Sequence, residues 1–258
     1  MNIEKTLKFI QLEFEKIGLT CSTQTFIVDG NEYKNIYAVI PGQVEETFVV
    51  GAHYDTCDKL PGADDNASGV AGVIEAARLV KDHGNPYFTL IFSFFSLEEP
   101  PFFGTKNMGS YRFAELLNQQ NRKIRGMVSV EMIGFFTDDK IQQYPPGIFE
   151  WLYPKEANFI ASVSNINSSN LADEYQDKID NLNEIHCVQF SGPSSVPGID
   201  LSDHSAFWHF GYEAFMITDT SFLRNRNYHT QYDLSSTLDY KRMSFVVNGL
   251  VLMVTNKF

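Results

Sequence analysis

Between residues 3 and 16 the apolar side chains Leu7, Phe9, Ile10, Leu12 and Phe14 are interleaved with Lys and Glu, a spacing that predicts an amphipathic helix. Two runs with strand character follow, 21–28 and 33–40, set off by a Gly-Asn and a Pro-Gly-Gln turn. Runs bounded in this way predict antiparallel strands at the edge of a sheet. Residues 47–52 are apolar and β-branched without a polar interruption, as in a strand buried on both faces, and they lead directly into His53. From Gly69 to about Gly84 the pattern returns to helical spacing through Ile74, Ala77, Leu79 and Val80, with Asn66 or Ser68 placed to cap it. Further apolar strands are predicted at 87–95, 126–130 and 213–218, and a closing helix at 240–254. Strands that alternate with helices in this way predict an α/β protein, a three-layer α/β/α arrangement with a mixed, mainly parallel central sheet. No linker, charge run or internal repeat divides the chain, so residues 1–258 are expected to form a single domain.

The ends of these apolar runs carry the chemistry. His53 ends one strand, Glu98 and Glu99 follow another in SLEEP, and Glu131 ends a third in VSVEMIG. Asp65 in GADDNASG and His229 in NYHTQYD lie on connecting segments. Imidazole nitrogen and carboxylate oxygen are the donors that Zn²⁺ takes at roughly 2.0–2.2 Å, and two ions about 3.5–4 Å apart need a bridging carboxylate. Asp65 is the bridging candidate. One His and one Glu then fall on each side of it, His53 with Glu131 and His229 with Glu99. Glu98 is left without a metal, as a general base must be. Asp55, two residues past His53 on an extended segment, points to the same side and is placed to accept the second ring N–H of His53. The bland alternatives are a pair of solvated acids at Glu98 and Glu99 and a simple turn and helix cap in GADDNASG. Two buried acids without a cation would be costly, and the turn can serve both purposes. His83, His186 and His209 lack acidic companions at a useful position and are read as structural.

Together, the H-x-D, G-x-D-D-x-x-S-G, E-E, E-M-I-G and Y-H-T-x-x-D segments resemble the co-catalytic dizinc aminopeptidase family, which includes bacterial leucine-type aminopeptidases and is related to glutamate carboxypeptidases and glutaminyl cyclases. The resemblance runs in order from about Phe48 to the C-terminus. It implies the phosphorylase/hydrolase-like exopeptidase architecture, two zinc ions held by His53, Asp65, Glu99, Glu131 and His229, and Glu98 as base. It also implies that the Tyr228 hydroxyl donates to the oxyanion, and that the segment with Asp203 and His204 approaches the substrate cleft, where Asp203 would act behind the ligands. Glu131 departs from the pattern, since many members carry Asp there.

With 43% hydrophobic and 20% charged residues, the chain can bury a sizeable core. Its formal net charge of −12 argues against a nucleic-acid partner, because neutralising phosphates takes clustered Lys and Arg. Three cysteines without a C-x-x-C pair give no disulfide framework; a Cys21–Cys187 bridge is compatible with the sequence, and Cys57, close behind the His53 segment, is read as a half-buried small side chain, with a metal-adjacent thiol as the alternative. No run of about 18 apolar residues predicts a membrane span, and the charged N-terminus is unlike a secretory signal. A cytoplasmic location is expected for the chain as it stands, or export if a signal has been removed. The expected reaction is removal of N-terminal residues from a peptide or small aminoacyl substrate, with Phe102, Phe103, Phe135, Phe136 and Phe222 as candidates for an apolar pocket. The rivals are a one-zinc glutaminyl cyclase, a carboxypeptidase or dipeptidase using Arg224 and Arg226 to hold a carboxylate, and a binding module that has kept the fold. Oligomeric state is left open.

Overall fold

Four mutually parallel strands form the middle of the sheet, and the buried stretch of each is mainly apolar, as in strands covered on both faces. They are β3 (Val44–His53), β4 (Phe88–Phe95), β5 (Ile124–Glu131) and β8 (Ala214–Thr218). The computed structural model describes residues 3–145 and 150–255. Around this centre lie β1 (Cys21–Val28), β2 (Asn31–Ile40), β6 (Ile160–Asn165) and β7 (Cys187–Gly192), giving the order β1-β2-β4-β3-β5-β8-β6-β7. β1 and β2 pair antiparallel at one edge, as the Gly-Asn turn predicts, but the Pro-Gly-Gln turn does not make a hairpin: β2 joins β4 antiparallel, and β3 lies beyond β4. β6 runs antiparallel to β8 and parallel to β7, so the sheet is mixed and mainly parallel.

Helices cover both faces. α1 (Ile3–Lys16), α2 (Gly69–His83), α4 (Ser169–Asp180) and α6 (Tyr240–Thr255) pack on one side, where the major apolar core includes Phe14, Phe48, Val73, Phe92, Tyr175 and Val247. α3 (Gly109–Gln119) and the short α5 (His204–Trp208) cover the other around Val49, Phe95, Phe113, Met127 and Phe207. Each of these large side chains contributes about 1.5–3 kcal/mol when it is fully withdrawn from water. The three layers follow from the sheet's two apolar faces.

Asn66, of the two candidate caps, serves α2: its Oδ1 accepts the Gly69 N–H at 3.1 Å and the Met132 N–H at 3.0 Å. Ser68 is already helical, and its hydroxyl instead donates to the Asp64 carbonyl and accepts from the Ile133 N–H. Gly69 has no side chain for a reason of space, since a Cβ there would collide with the Val130 carbonyl oxygen and Asn66 Oδ1. The start of α2 is thereby pressed onto the end of β5, which fixes the Asp64–Asp65 turn beside Glu131. All three cysteines are free, so no Cys21–Cys187 bridge forms. Among the described residues, no helix is long and apolar enough to cross a membrane.

Candidate metal centre

Because β4, β3, β5 and β8 are adjacent and parallel, their carboxyl ends lie along one edge, the place where ligands gather in open α/β sheets. His53 is the last residue of β3 and Glu131 the last of β5, while Glu98 and Glu99 follow the end of β4. His229 comes from the loop after β8, and Asp65 from the turn that precedes α2. Three backbone positions in this ring are left-handed without being glycine: Leu97 just before the two Glu, Met132 just after Glu131, and His229 itself. Such conformations each cost on the order of 1–3 kcal/mol and concentrate where side-chain direction matters.

Asp65 stands at the middle. Its Oδ1 lies 3.3 Å from His53 Nε2 and its Oδ2 lies 2.9 Å from His229 Nε2. Glu131 Oε2 is 3.3 Å from His53 Nε2, and Glu99 Oε2 is 3.3 Å from His229 Nε2. Glu98 Oε2 sits slightly farther out, 3.8 Å from His53 Nε2. The structure therefore brings all six residues together and divides them into the two His/Glu sets flanking Asp65.

His53 Nδ1 lies 3.1 Å from the Asp55 backbone carbonyl, which can only accept, so the ring proton belongs on Nδ1. Nε2 then faces the Asp65 and Glu131 carboxylates, a position that calls for positive charge, supplied by a proton on Nε2 or by a cation in its place. On the other side, His229 Nε2 lies between the Asp65 and Glu99 carboxylates, and Glu99 Oε1 is buried without a hydrogen-bond partner. Buried polar atoms are rarely left so. Donor type, convergence and the orphaned Glu99 oxygen all fit divalent cations.

The electrostatics agree. Burial disfavours a charged His53, yet Glu131, Glu98, Asp55 and Asp65 outweigh it and hold the ring well above its usual value. Burial also opposes charge on His229, which Asp65 and Glu99 raise to about 10. Asp65 is pulled down to about 2 because the two imidazoles overcome the cost of burial. Glu98 and Glu131 are raised by burial despite His53, most strongly at Glu98, where Glu131, Asp203 and Asp55 reinforce it. A site this negative favours cations.

Surrounding groups hold the donors in place, and some differ from expectation. The Asp55 carboxylate is 3.6 Å from His53 Nδ1, and its two oxygens accept the N–H groups of Glu98 at 3.2 Å and Glu99 at 3.1 Å. The expected contact to the imidazole is made by the Asp55 carbonyl instead. Asp203 is fully buried, and burial pushes it up to about 7 with His53 and the Ser110 hydroxyl opposing. The Tyr228 ring stacks on His229 at 3.8 Å and borders the cleft. Sequence reasoning missed Ser202, whose hydroxyl donates to Glu131 Oε2 at 2.8 Å, and Asp233, which accepts the N–H groups of Asp64 and Asp65. Cys57 is half-buried, as the favoured sequence reading has it, and its thiol also lies near Glu99 and His229, as the alternative reading of a metal-adjacent thiol has it.

A cavity of about 290 Å³ opens beside the donors, walled by Phe103, Tyr153, Phe159, Phe190, Met216 and Phe222 among others. Phe103 and Phe222 were anticipated. Phe102 instead packs on Tyr33, and Phe136 belongs to the core; neither they nor Phe135 line the cavity. Nor do the arginines supply a basic wall: Arg224 is buried, donating to the Ala157 and Phe159 carbonyls, and Arg226 is exposed outside the cavity.

Comparison with known proteins places this geometry. Residues 35–252 match the profile of Peptidase family M28. The protein YfbL of Escherichia coli (strain K12) is 35% identical over 264 residues, which span 99% of this chain and 80% of that protein. A probable leucine aminopeptidase of Arthroderma otae is 27% identical over 234 residues, covering 83% of this chain and 54% of the relative. The chain thus spans about half the length of that curated aminopeptidase. Among solved structures, LapA aminopeptidase of Legionella pneumophila superposes with a TM-score of 0.74 at 21% identity, covering 98% of this chain and 66% of that one. A glutaminyl cyclase of Porphyromonas gingivalis gives 0.73 at 17%, with 96% and 87% covered. At such identities the likeness is one of fold, whereas the matched profile takes in every donor from His53 to His229: the chain belongs to peptidase family M28.

Proposed function

We propose that this protein is a zinc-dependent aminopeptidase that hydrolyses the first peptide bond of its substrate. The observation that carries it is the division of donors about Asp65, with a His and a Glu on each of its oxygens. His53, Glu131 and Asp65 Oδ1 would hold one ion, and His229, Glu99 and Asp65 Oδ2 the other. When bound, zinc lowers the pKa of water toward about 7 and polarises a carbonyl.

The protein's own residues supply the rest. Glu98 is tied through its backbone to Asp55 and keeps its carboxylate beside the His53 set without entering the central pairings. It takes the proton of the attacking water and returns it to the amine nitrogen as the C–N bond breaks. Its elevated affinity for a proton suits it to hold that proton between the two steps. Tyr228, fixed against His229, offers its hydroxyl to the carbonyl oxygen as charge develops there. The apolar cavity receives the side chain of the first residue, which favours large apolar ones, and Arg224 is too fully committed to backbone carbonyls to hold a substrate carboxylate. The aminopeptidase names of the A. otae and L. pneumophila relatives support this direction of attack.

A panel of aminoacyl nitroanilides with the zinc-loaded protein tests the assignment. Leucyl and phenylalanyl substrates should be cleaved faster than lysyl or glutamyl ones, and N-acetylation should abolish release. Inertness toward all unblocked substrates, with ammonia released from a peptide beginning in glutamine, would replace it by the cyclase reading that the P. gingivalis neighbour suggests.

A further inference from the structure

Cys57 lies on the turn that follows β3, where its carbonyl accepts the Leu60 N–H. Its Sγ, a Glu99 carboxylate oxygen and a His229 ring nitrogen all lie within 4.8 Å of one another. Glu99 is only 5% exposed, yet its Oε1 has no hydrogen-bond partner. The thiol therefore adjoins a buried carboxylate with one unsatisfied oxygen. Donors of one tetrahedral zinc ion stand about 3.5 Å apart, so a rotation of the half-buried side chain that brings the thiol in by about 1 Å completes the set.

Given the two-cation centre proposed above, we propose that Cys57 is a fourth protein donor to the second ion, joining Asp65, Glu99 and His229 as a thiolate. The two positions then differ in kind. The first set, His53, Glu131 and Asp65, has no thiol near it among the described residues, and the further carboxylate within reach of it is Glu98. A coordinating thiol is deprotonated outright by the ion. The thiolate also makes the second position selective for soft ions such as zinc and cadmium over magnesium or manganese.

Cobalt(II) titrated into the chelator-stripped full-length chain reads this directly. A thiolate-to-cobalt charge-transfer band in the near ultraviolet should grow in and saturate with one equivalent, while visible ligand-field bands report two. In Cys57→Ser the charge-transfer band should vanish, both sets of visible bands should remain, and one equivalent should bind at least about tenfold more weakly. Two equivalents of visible bands without the ultraviolet band in the unaltered protein would overturn the thiolate ligand and leave the two-cation centre standing. Absence of any visible band would overturn the centre and the ligand together. Should Cys57→Ser fail to fold, alkylation of Cys57 in the unaltered chain, followed by peptide mass mapping, serves instead. One equivalent of zinc should protect it, and an unchanged rate would refute coordination.

Discussion

Asp233 reaches Asp65 across 168 residues of sequence: its Oδ2 accepts the Asp65 N–H at 3.1 Å while its other oxygen accepts the Asp64 N–H at 2.9 Å. The turn that carries the central carboxylate is therefore clamped by a side chain four residues past His229 on the opposite flank. Replacing it by Asn puts an NH₂ group where a backbone N–H already points. Groups that orient metal ligands typically change affinity 10–100-fold when lost, so Asp233→Asn should weaken zinc retention by that order. Competition against a chelator of known affinity measures it. Unchanged retention with only a lowered unfolding temperature would limit Asp233 to a role in stability.

His53 and His229 occupy the two sides of Asp65 and differ in burial, at 1% and 27% side-chain exposure. Each Ala variant should lose one zinc equivalent in elemental analysis of dialysed protein, and His53→Ala should lose more stability because it also leaves a buried void. Loss of both ions from either variant would show that the two positions fill only together.

Much of this site was legible because it is built at strand ends. The uninterrupted run 47–52 announces a buried strand, so the histidine that ends it has to face something polar, and the same reasoning applies to Glu131. Pairing the donors about Asp65 needed only donor counting. Ser202 and Asp233 were invisible because each acts on a group more than 70 residues away, and nothing in their own surroundings marks that reach. Strand β6 was missed for another reason: Ser162 and Ser164 are buried in it, and Ser164 is satisfied by Ser191 across the strand pair at 2.6 Å. A polar residue paired in this way breaks the apolar pattern without breaking the strand. Helix α4 carries its buried Leu171, Ala172, Tyr175 and Ile179 in a stretch otherwise rich in Asn, Asp and Gln, which masked its periodicity. The pocket aromatics could not be sorted by composition, since Phe103 turns to the cleft while neighbouring Phe102 packs on Tyr33.

Glu98→Gln tests the base without disturbing the ligands. The amide keeps the volume and the backbone bond to Asp55, so both zinc ions should be retained. Turnover should fall by about 10²–10⁴-fold, the usual worth of a general base, with little change in KM. A variant with normal turnover would move the role to another group, and one that lost metal would show Glu98 to be a ligand.

His204 provides a measure of stability against pH. Its Nε2 meets the Ile199 carbonyl at 2.7 Å, its ring lies edge-on to Trp208, and it is fully buried. Burial lowers it from 6.5 to about 4, with the Ile199 bond opposing. Between those values the unfolded chain binds the proton that the folded chain refuses. The stability His204 contributes is thus complete above about 6.5 and is lost as pH falls toward about 4, by about 3 kcal/mol in all. Asp203 acts in the opposite sense: raised from 3.8 to about 7 by burial, it contributes stability at low pH that is lost as pH rises through that range. Comparing the unaltered protein with His204→Gln at equal metal content cancels the Asp203 contribution. Gln can keep the bond to Ile199 and does not titrate, so the variant should lose less stability between pH 6.5 and 4 in urea unfolding. Parallel pH profiles for the two proteins would mean that His204 is not held neutral by its burial.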